Sequence, residues 1–84
     1  MSTGIVAVLG NNSSITYTAS SETKLVIAAS SDVLTGDIHV KINGIKALSV
    51  GVGVIVADVY VSAGVPVKIE TEANSNCIVS ALES

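Results

Sequence analysis

The sequence predicts an all-β fold, a compact antiparallel sandwich of about eight short strands in one domain that spans residues 1–84. Val and Ile supply 23 residues and Leu only five, and β-branched side chains favour a pleated strand over a helix. Ser, Asn and Gly recur at short intervals, as turns between strands require. A chain of 84 residues, 49% of them hydrophobic, can build one core but has no room for a second.

Eight apolar or alternating runs, separated by polar turn residues, give the predicted strands. In chain order they cover residues 4–9, 14–19, 24–30, 37–42, 45–50, 52–61, 66–72 and 77–83. Several short strands with regular turn signals are typical of a sandwich or a barrel. Periodicity does not fix the order of the strands, so a jelly roll and other eight-stranded sandwiches both stay open.

The fourth and fifth runs are predicted to form a hairpin. Asn43-Gly44 lies between two apolar residues and favours a type I′ turn, which requires positive φ at both positions. With a two-residue turn, Ile42 pairs with Ile45 and Val40 pairs with Ala47. This register also determines which charged residues meet across the hairpin.

The predicted hairpin places two lysines opposite each other. Lys41 of the fourth run faces Lys46 of the fifth, and like charges in that position oppose the pairing. In the seventh run, Lys68, Glu70 and Glu72 share the face that alternates with apolar residues. Glu70 or Glu72 from a neighbouring strand could therefore offset the repulsion.

The sixth run differs from the others because both of its faces are mainly apolar. One face carries Ile55, Ala57, Val59 and Val61, and the other carries Val52, Val54, Val56, Asp58 and Tyr60. In a small antiparallel sandwich one face of a strand should meet water. The second apolar face is therefore expected to be covered, most simply by another copy of the chain, and a central strand under a long loop is the alternative. The predicted subunit contacts are Val52, Val54, Val56 and Tyr60.

Charge and cysteine content exclude several classes of protein. The net charge is −3, and four Lys or Arg residues cannot form the basic stripe that nucleic-acid binding requires. One Cys cannot make an internal disulfide framework or a Cys-based zinc site. The longest apolar run, residues 50–57, is shorter than the roughly 18 residues of a membrane-spanning helix. No Lys or Arg precedes Lys24, so we expect synthesis in a cytoplasm without a secretory signal.

The sequence offers few groups for catalysis. His39 and Cys77 are the single residues of their types, so the composition allows one Cys–His pair. His39 alternates with Asp37 and Lys41 and is interpreted as a solvated strand residue. Cys77 opens the last predicted strand, where a free cysteine is usually a buried, inert thiol. Asp32 and Asp37 could meet in one loop, but their spacing is not that of an EF-hand. We therefore predict no catalytic, cofactor-binding or metal-ligating residue and no cofactor.

Two segments have the sequence pattern of a strand, a short turn and a second strand. They are residues 60–69 (YVSAGVPVKI) and residues 5–18 (IVAVLGNNSSITYT), and residues 77–83 (CIVSALE) add a closing strand. In this arrangement and in its Val, Thr and Ser content, the chain resembles small virion proteins of tailed bacteriophages that decorate the head or form short fibres. The resemblance implies a compact, jelly-roll-like β-sandwich that assembles as a homotrimer and carries no catalytic residues.

The resemblance also implies a place and a partner. The homotrimer would be made in the host cytoplasm and would bind the major capsid protein, or another virion protein, on the capsid surface. The leading expectation is thus a capsid decoration (cement) subunit that stabilises the shell, with neither nucleic acid nor membrane as a partner. The alternative is a fibre or tail-associated adhesion module that binds a host surface glycan through Tyr17 and Tyr60. A small enzyme centred on His39 and Cys77 is the third hypothesis.

Overall fold

The computed structural model describes residues 2–32, 38–48 and 54–83. These residues form eight β-strands, which confirms the all-β prediction. The strands are β1 (Ser2–Leu9), β2 (Ser14–Thr18), β3 (Thr23–Ser31), β4 (Val40–Ile42), β5 (Ile45–Leu48), β6 (Val54–Val61), β7 (Pro66–Thr71) and β8 (Ser75–Glu83).

The strands build two antiparallel four-stranded sheets. Sheet A has the order β1-β8-β3-β6, and sheet B has the order β2-β7-β4-β5. The first strand therefore pairs with the last, the second with the seventh, the third with the sixth and the fourth with the fifth. A long antiparallel ribbon rolled into two layers gives this pairing, which is the strand order of a jelly roll. The predicted antiparallel sandwich is confirmed, and the strand order resolves what periodicity left open.

The core lies between the two sheets and consists of aliphatic side chains. Alternation along β3 buries Leu25, Ile27 and Ala29, and alternation along β7 buries Val67 and Ile69. Each fully buried aliphatic side chain contributes roughly 1.5–3 kcal/mol to folding. Other buried apolar residues of the core are Leu9, Ala19, Ile38, Val40, Val61, Cys77, Val79 and Ala81.

The β4–β5 hairpin has the predicted turn. Asn43 and Gly44 have φ angles of 52° and 80°, so both positions are left-handed as a type I′ turn requires. Ile42 pairs with Ile45 as predicted. The predicted pairing of Val40 with Ala47 is wrong, because a bulge between Val40 and Lys41 pairs Val40 with Leu48 instead. Bulges are frequent at sheet edges, where they bend and twist a strand, and β5 is an edge of sheet B.

Glutamates of the neighbouring chain segment offset the repulsion between the two lysines of this hairpin, as expected. Lys41 lies opposite Lys46 on one side and opposite Glu70 on the other. Its Nζ atom is also 3.4 Å from Oε1 of Glu72. Both side chains of that ion pair are well exposed, so its contribution to stability is small.

The fourth strand begins later than predicted. The sequence indicates a strand from residue 37, but β4 begins at Val40. His39 therefore precedes the strand and is half-buried, so its interpretation as a solvated strand residue is wrong. Its backbone is held instead by β8, because its N–H group donates to Oγ of Ser75 at 2.9 Å. Asp37 lies outside the described residues.

Candidate functional site: the outer face of sheet A

The outer face of sheet A consists of the residues that alternate with the core residues of its strands. On β6, Ile55, Ala57 and Val59 are half-buried and pack against the core. The opposite side of β6 is exposed to solvent. Its exposed residues are Val54, Val56, Asp58 and Tyr60. The prediction that β6 has two largely apolar faces is thus confirmed for the described residues. Val52 lies outside them.

A bulge in β1 adds two large side chains to the same face. Ile5 pairs with Ser80 and Ala7 pairs with Val79, so Val6 is an extra residue in the ladder. Strict alternation would place Ile5 on the same side as Ala7. Because of the bulge, Ile5 and Val8 both lie on the outer face, where each is about 70% exposed. Sequence reasoning missed both residues, since a continuous apolar run gives no alternation that could reveal the bulge.

The outer face has a continuous apolar row across all four strands. Val8 of β1 pairs with Ile78 of β8, which pairs with Ala28 of β3, which pairs with Val56 of β6. Sequence reasoning found only the β6 member, because the row depends on a strand order that periodicity does not contain. The large exposed hydrophobic side chains of this face are Ile5, Val8, Val54, Val56, Tyr60 and Ile78, with exposed fractions from 44% to 78%.

A depression of about 410 Å³ lies at one end of this face. Its lining includes Val8, Ala28, Val54 and Ile78 and is predominantly apolar. Ser30 and Asn76 supply polar atoms at its edge. Val8, Ala28 and Ile78 of its lining belong to the apolar row, so the depression overlies that row.

Two charged side chains lie on this face, which also carries the polar residues Ser30, Asn76 and Ser80. Asp58 is exposed and lies opposite Val26, and Lys24 is half-buried and lies opposite Tyr60. The carboxylate and the ammonium group are therefore diagonal neighbours on adjacent strands. Among the described residues no ion pair joins them.

The outer face of sheet B has the opposite character. Thr16 pairs with Lys68, and Ser14 pairs with Glu70, which also pairs with Lys41. Lys68 Nζ lies 3.7 Å from Glu70 Oε1 on this surface. Hydroxyl and charged groups hydrogen-bond readily to water. The molecule thus has one polar and one apolar outer face.

The environment of Cys77 bears on the Cys–His pair that the composition allows. Cys77 points into the core, as predicted, and burial raises the pKa of its thiol, which favours the protonated form. No hydrogen bond joins the His39 ring to the thiol in the part of the chain that the structure describes. The sulfur nucleophile needs the thiolate form, so this environment disfavours nucleophilic chemistry.

Asp32 makes hydrogen bonds to three asparagines at one end of the sandwich. Its carboxylate accepts hydrogen bonds from Nδ2 of Asn11, at 3.0 Å, and from Nδ2 of Asn76. Its backbone N–H group donates to the carbonyl of Asn74 at 2.7 Å. The carboxylate is thus engaged by two side-chain amides, one from the β1–β2 turn and one from the start of β8. Within the described ranges no group of three or more His, Cys, Asp or Glu residues could hold a metal ion.

The two tyrosines lie on different sheets. Tyr17 belongs to β2 of sheet B, where it is half-buried and packs against the core. Tyr60 belongs to β6 of sheet A and is the most exposed large side chain of the outer face. The two rings therefore do not lie together on one face, and a glycan site on the surface could use Tyr60 but not both tyrosines.

Comparison with known proteins found no family model, no curated protein and no solved structure that matches the chain. Among the described residues, no helix is long and apolar enough to cross a bilayer.

Proposed function

We propose that this chain is a structural subunit without enzymatic activity, and that it assembles with copies of itself through the outer face of sheet A. The observation that carries the proposal is the apolar row from Val8 to Val56, together with Ile5, Val54 and Tyr60 around it. Each of the large side chains Ile5, Val8, Val54, Val56 and Tyr60 is more than 60% exposed. Contiguous exposed apolar patches are rare on monomers and are often interaction sites.

The energetics favour covering this face. Burying apolar surface stabilises a complex by roughly 25 cal/mol per Å² before the entropic costs of association are subtracted. A domain of 84 residues buries only about 60–65% of the surface of its unfolded chain. Association is therefore a source of stability for this sandwich as well as a means of assembly.

The specific role that we propose is that of a capsid decoration subunit. In this role, a homotrimer binds the major capsid protein, or another virion protein, and stabilises the shell mechanically. Support comes from the resemblance of residues 5–18 and 60–69 to small phage virion proteins. The division of the outer surface also suits this role, because the apolar face can meet protein and the polar face can meet water.

The mass in solution tests the self-association. We expect the wild-type chain to form an oligomer and Val56→Asp to form a monomer, since a carboxylate in the apolar row would be desolvated on contact. Thr16→Asp is the matched control, because it places the same charge on an exposed position of sheet B and should leave the oligomer unchanged. Sedimentation equilibrium gives the masses. A wild-type monomer at all concentrations would refute self-association.

Binding to shells tests the capsid role separately. Purified protein added to undecorated tailed-phage heads should cosediment with them and raise the temperature at which they disrupt. Val56→Asp should lose this binding and Thr16→Asp should retain it. An oligomer that binds no head would refute the decoration role and leave the assembly proposal in place.

A further inference from the structure

We infer that β6 pairs antiparallel with the β6 of a second copy, so that two copies of sheet A join into one eight-stranded sheet. This inference goes beyond the proposed contact through the outer face of sheet A, because edge pairing sets two such faces side by side in one larger apolar face that further copies can cover. It rests on the proposed self-association. It does not depend on the capsid role. Its basis is a comparison of the four sheet edges, followed by the charge pattern along β6.

The four edge strands of the sandwich differ in how well they resist pairing with another chain. β1 carries the bulge near Val6, β2 has only five residues, and β5 has four residues with a lysine at Lys46. Bulges, short strands and lysines are devices by which proteins protect sheet edges. Each of these three edges thus has at least one protective device.

The remaining edge, β6, is the least protected of the four, because its one protective feature is the charged side chain of Asp58 and it has no bulge. It has eight residues, and its register with β3 is unbroken from Val54 to Val61. It contains neither Pro nor Lys, and its one charged residue is Asp58. Within the described ranges, no strand pairs with its outer edge. A long, regular and largely apolar edge is a template for strand addition.

The charge pattern selects one register for this pairing. Two registers related by a two-fold axis overlap β6 almost completely, one centred on Asp58 and one centred on Ala57. The register on Asp58 places two carboxylates directly opposite each other, which opposes pairing. The register on Ala57 places each Asp58 opposite the partner's Val56, so the two carboxylates become diagonal neighbours. Both registers place Tyr60 opposite a valine of the partner, so this favourable pair does not distinguish them and the charge alone does. The structure thus favours the register on Ala57.

This pairing has a consequence for the number of copies. A two-fold contact joins copies in pairs, so the assembly contains an even number of them. A trimer formed through another part of the face can include this contact as a link between two trimers, which gives six copies. A free homotrimer of the kind named in the capsid role would therefore contradict the inference and leave that role in place.

Cysteine cross-linking of the full chain tests the register. Ala57→Cys should form a disulfide-linked dimer on mild oxidation, because the residue on the axis lies opposite itself. A mixture of Val54→Cys and Tyr60→Cys should also cross-link. A mixture of Val56→Cys and Tyr60→Cys is the matched control and should give about tenfold less linked dimer, since only Cβ atoms about 3.5–4.5 Å apart can bridge. The wild-type chain, with its buried Cys77, should give none.

Each result has a distinct meaning when the oligomer mass is measured in parallel. Linked dimers from Ala57→Cys and from the Val54–Tyr60 mixture, with an even number of copies, support the inference. More linkage in the Val56–Tyr60 control overturns the register, because that pair is opposed when Asp58 lies on the axis. An oligomer that none of these variants cross-links overturns the inference and leaves the proposed function standing. A wild-type monomer overturns both.

Discussion

The hydroxyl group of Thr71 connects the end of β7 to the turn between β1 and β2. The Thr71 side chain is buried, its Oγ1 atom accepts a hydrogen bond from the N–H group of Ser13 at 3.0 Å, and it donates to the carbonyl of Gly10. The N–H group of Thr71 also donates to the carbonyl of Ser13 at 2.8 Å. The turn between β1 and β2 is therefore fixed to the end of β7. Sequence reasoning did not single out Thr71, because its partners are about 60 residues away in the chain.

Thr71→Val should destabilise the fold by about 1–3 kcal/mol, because it removes the two part-buried hydrogen bonds of the hydroxyl, each worth roughly 0.5–1.5 kcal/mol. Thr16→Val, which removes a hydroxyl from an exposed position of sheet B, is the control and should change the free energy of unfolding little. Urea denaturation measures both variants. Equal stabilities of the two variants would contradict the role given to the Thr71 hydroxyl.

Burial of Cys77 predicts a particular dependence of stability on pH. Its folded-state pKa is raised by desolvation, so the native state keeps the thiol proton after the unfolded chain has lost it. The protonated, buried thiol therefore stabilises the native state fully below the unfolded thiol pKa of about 8.5. This contribution to the free energy of unfolding is lost as the pH rises above that value. Wild-type stability should therefore fall more steeply above that pH than the stability of Cys77→Ala. Parallel slopes for the two chains would contradict this prediction.

The same environment predicts low reactivity of the thiol. Alkylation by iodoacetamide at neutral pH should be at least about tenfold slower in the folded chain than in urea, because a buried thiol ionises poorly. The modified fraction is read by mass spectrometry. Rapid alkylation of the folded protein at pH 7 would instead support the enzyme hypothesis centred on His39 and Cys77.

Among the elements, the β4–β5 hairpin depends most on local sequence. Gly44 has a φ of 80° with open space around its Cα, so a side chain there is opposed by backbone conformation and not by a neighbour. Gly44→Ala should cost about 1–2 kcal/mol. Gly4→Ala is the control, since Gly4 also has open space but no positive φ, and it should not destabilise. Thermal or urea unfolding measures both, and an equal effect at both glycines would contradict this account of the turn.

The elements also show which features of the fold the sequence can predict. All eight strands and the Asn43-Gly44 turn follow from alternation and turn chemistry, which are local properties. The bulges at Val6 and Ala47 do not, because a bulge is defined by the register with another strand. The apolar face was predicted only along β6. Its Val8 and Ile78 members depend on strands that are far apart in sequence and adjacent only in the jelly roll.

At the scale of the whole molecule, assembly and folding should be coupled. If burial of the outer face of sheet A stabilises the native state, the melting temperature of the wild-type chain should rise with protein concentration. Val56→Asp should remove this dependence and Thr16→Asp should retain it. Calorimetry over a hundredfold range of concentration measures the effect. A concentration-independent melting temperature for the wild-type chain would contradict the coupling.

The chemical difference between the two sheets gives the molecule an orientation wherever it settles. An assembly that covers the outer face of sheet A leaves the outer face of sheet B, with Ser14, Thr16 and Thr18 of β2, on its surface. Such a surface is rich in hydroxyl groups, which hydrogen-bond to water. Further copies would then meet no exposed apolar face, so growth would end once the apolar faces are covered.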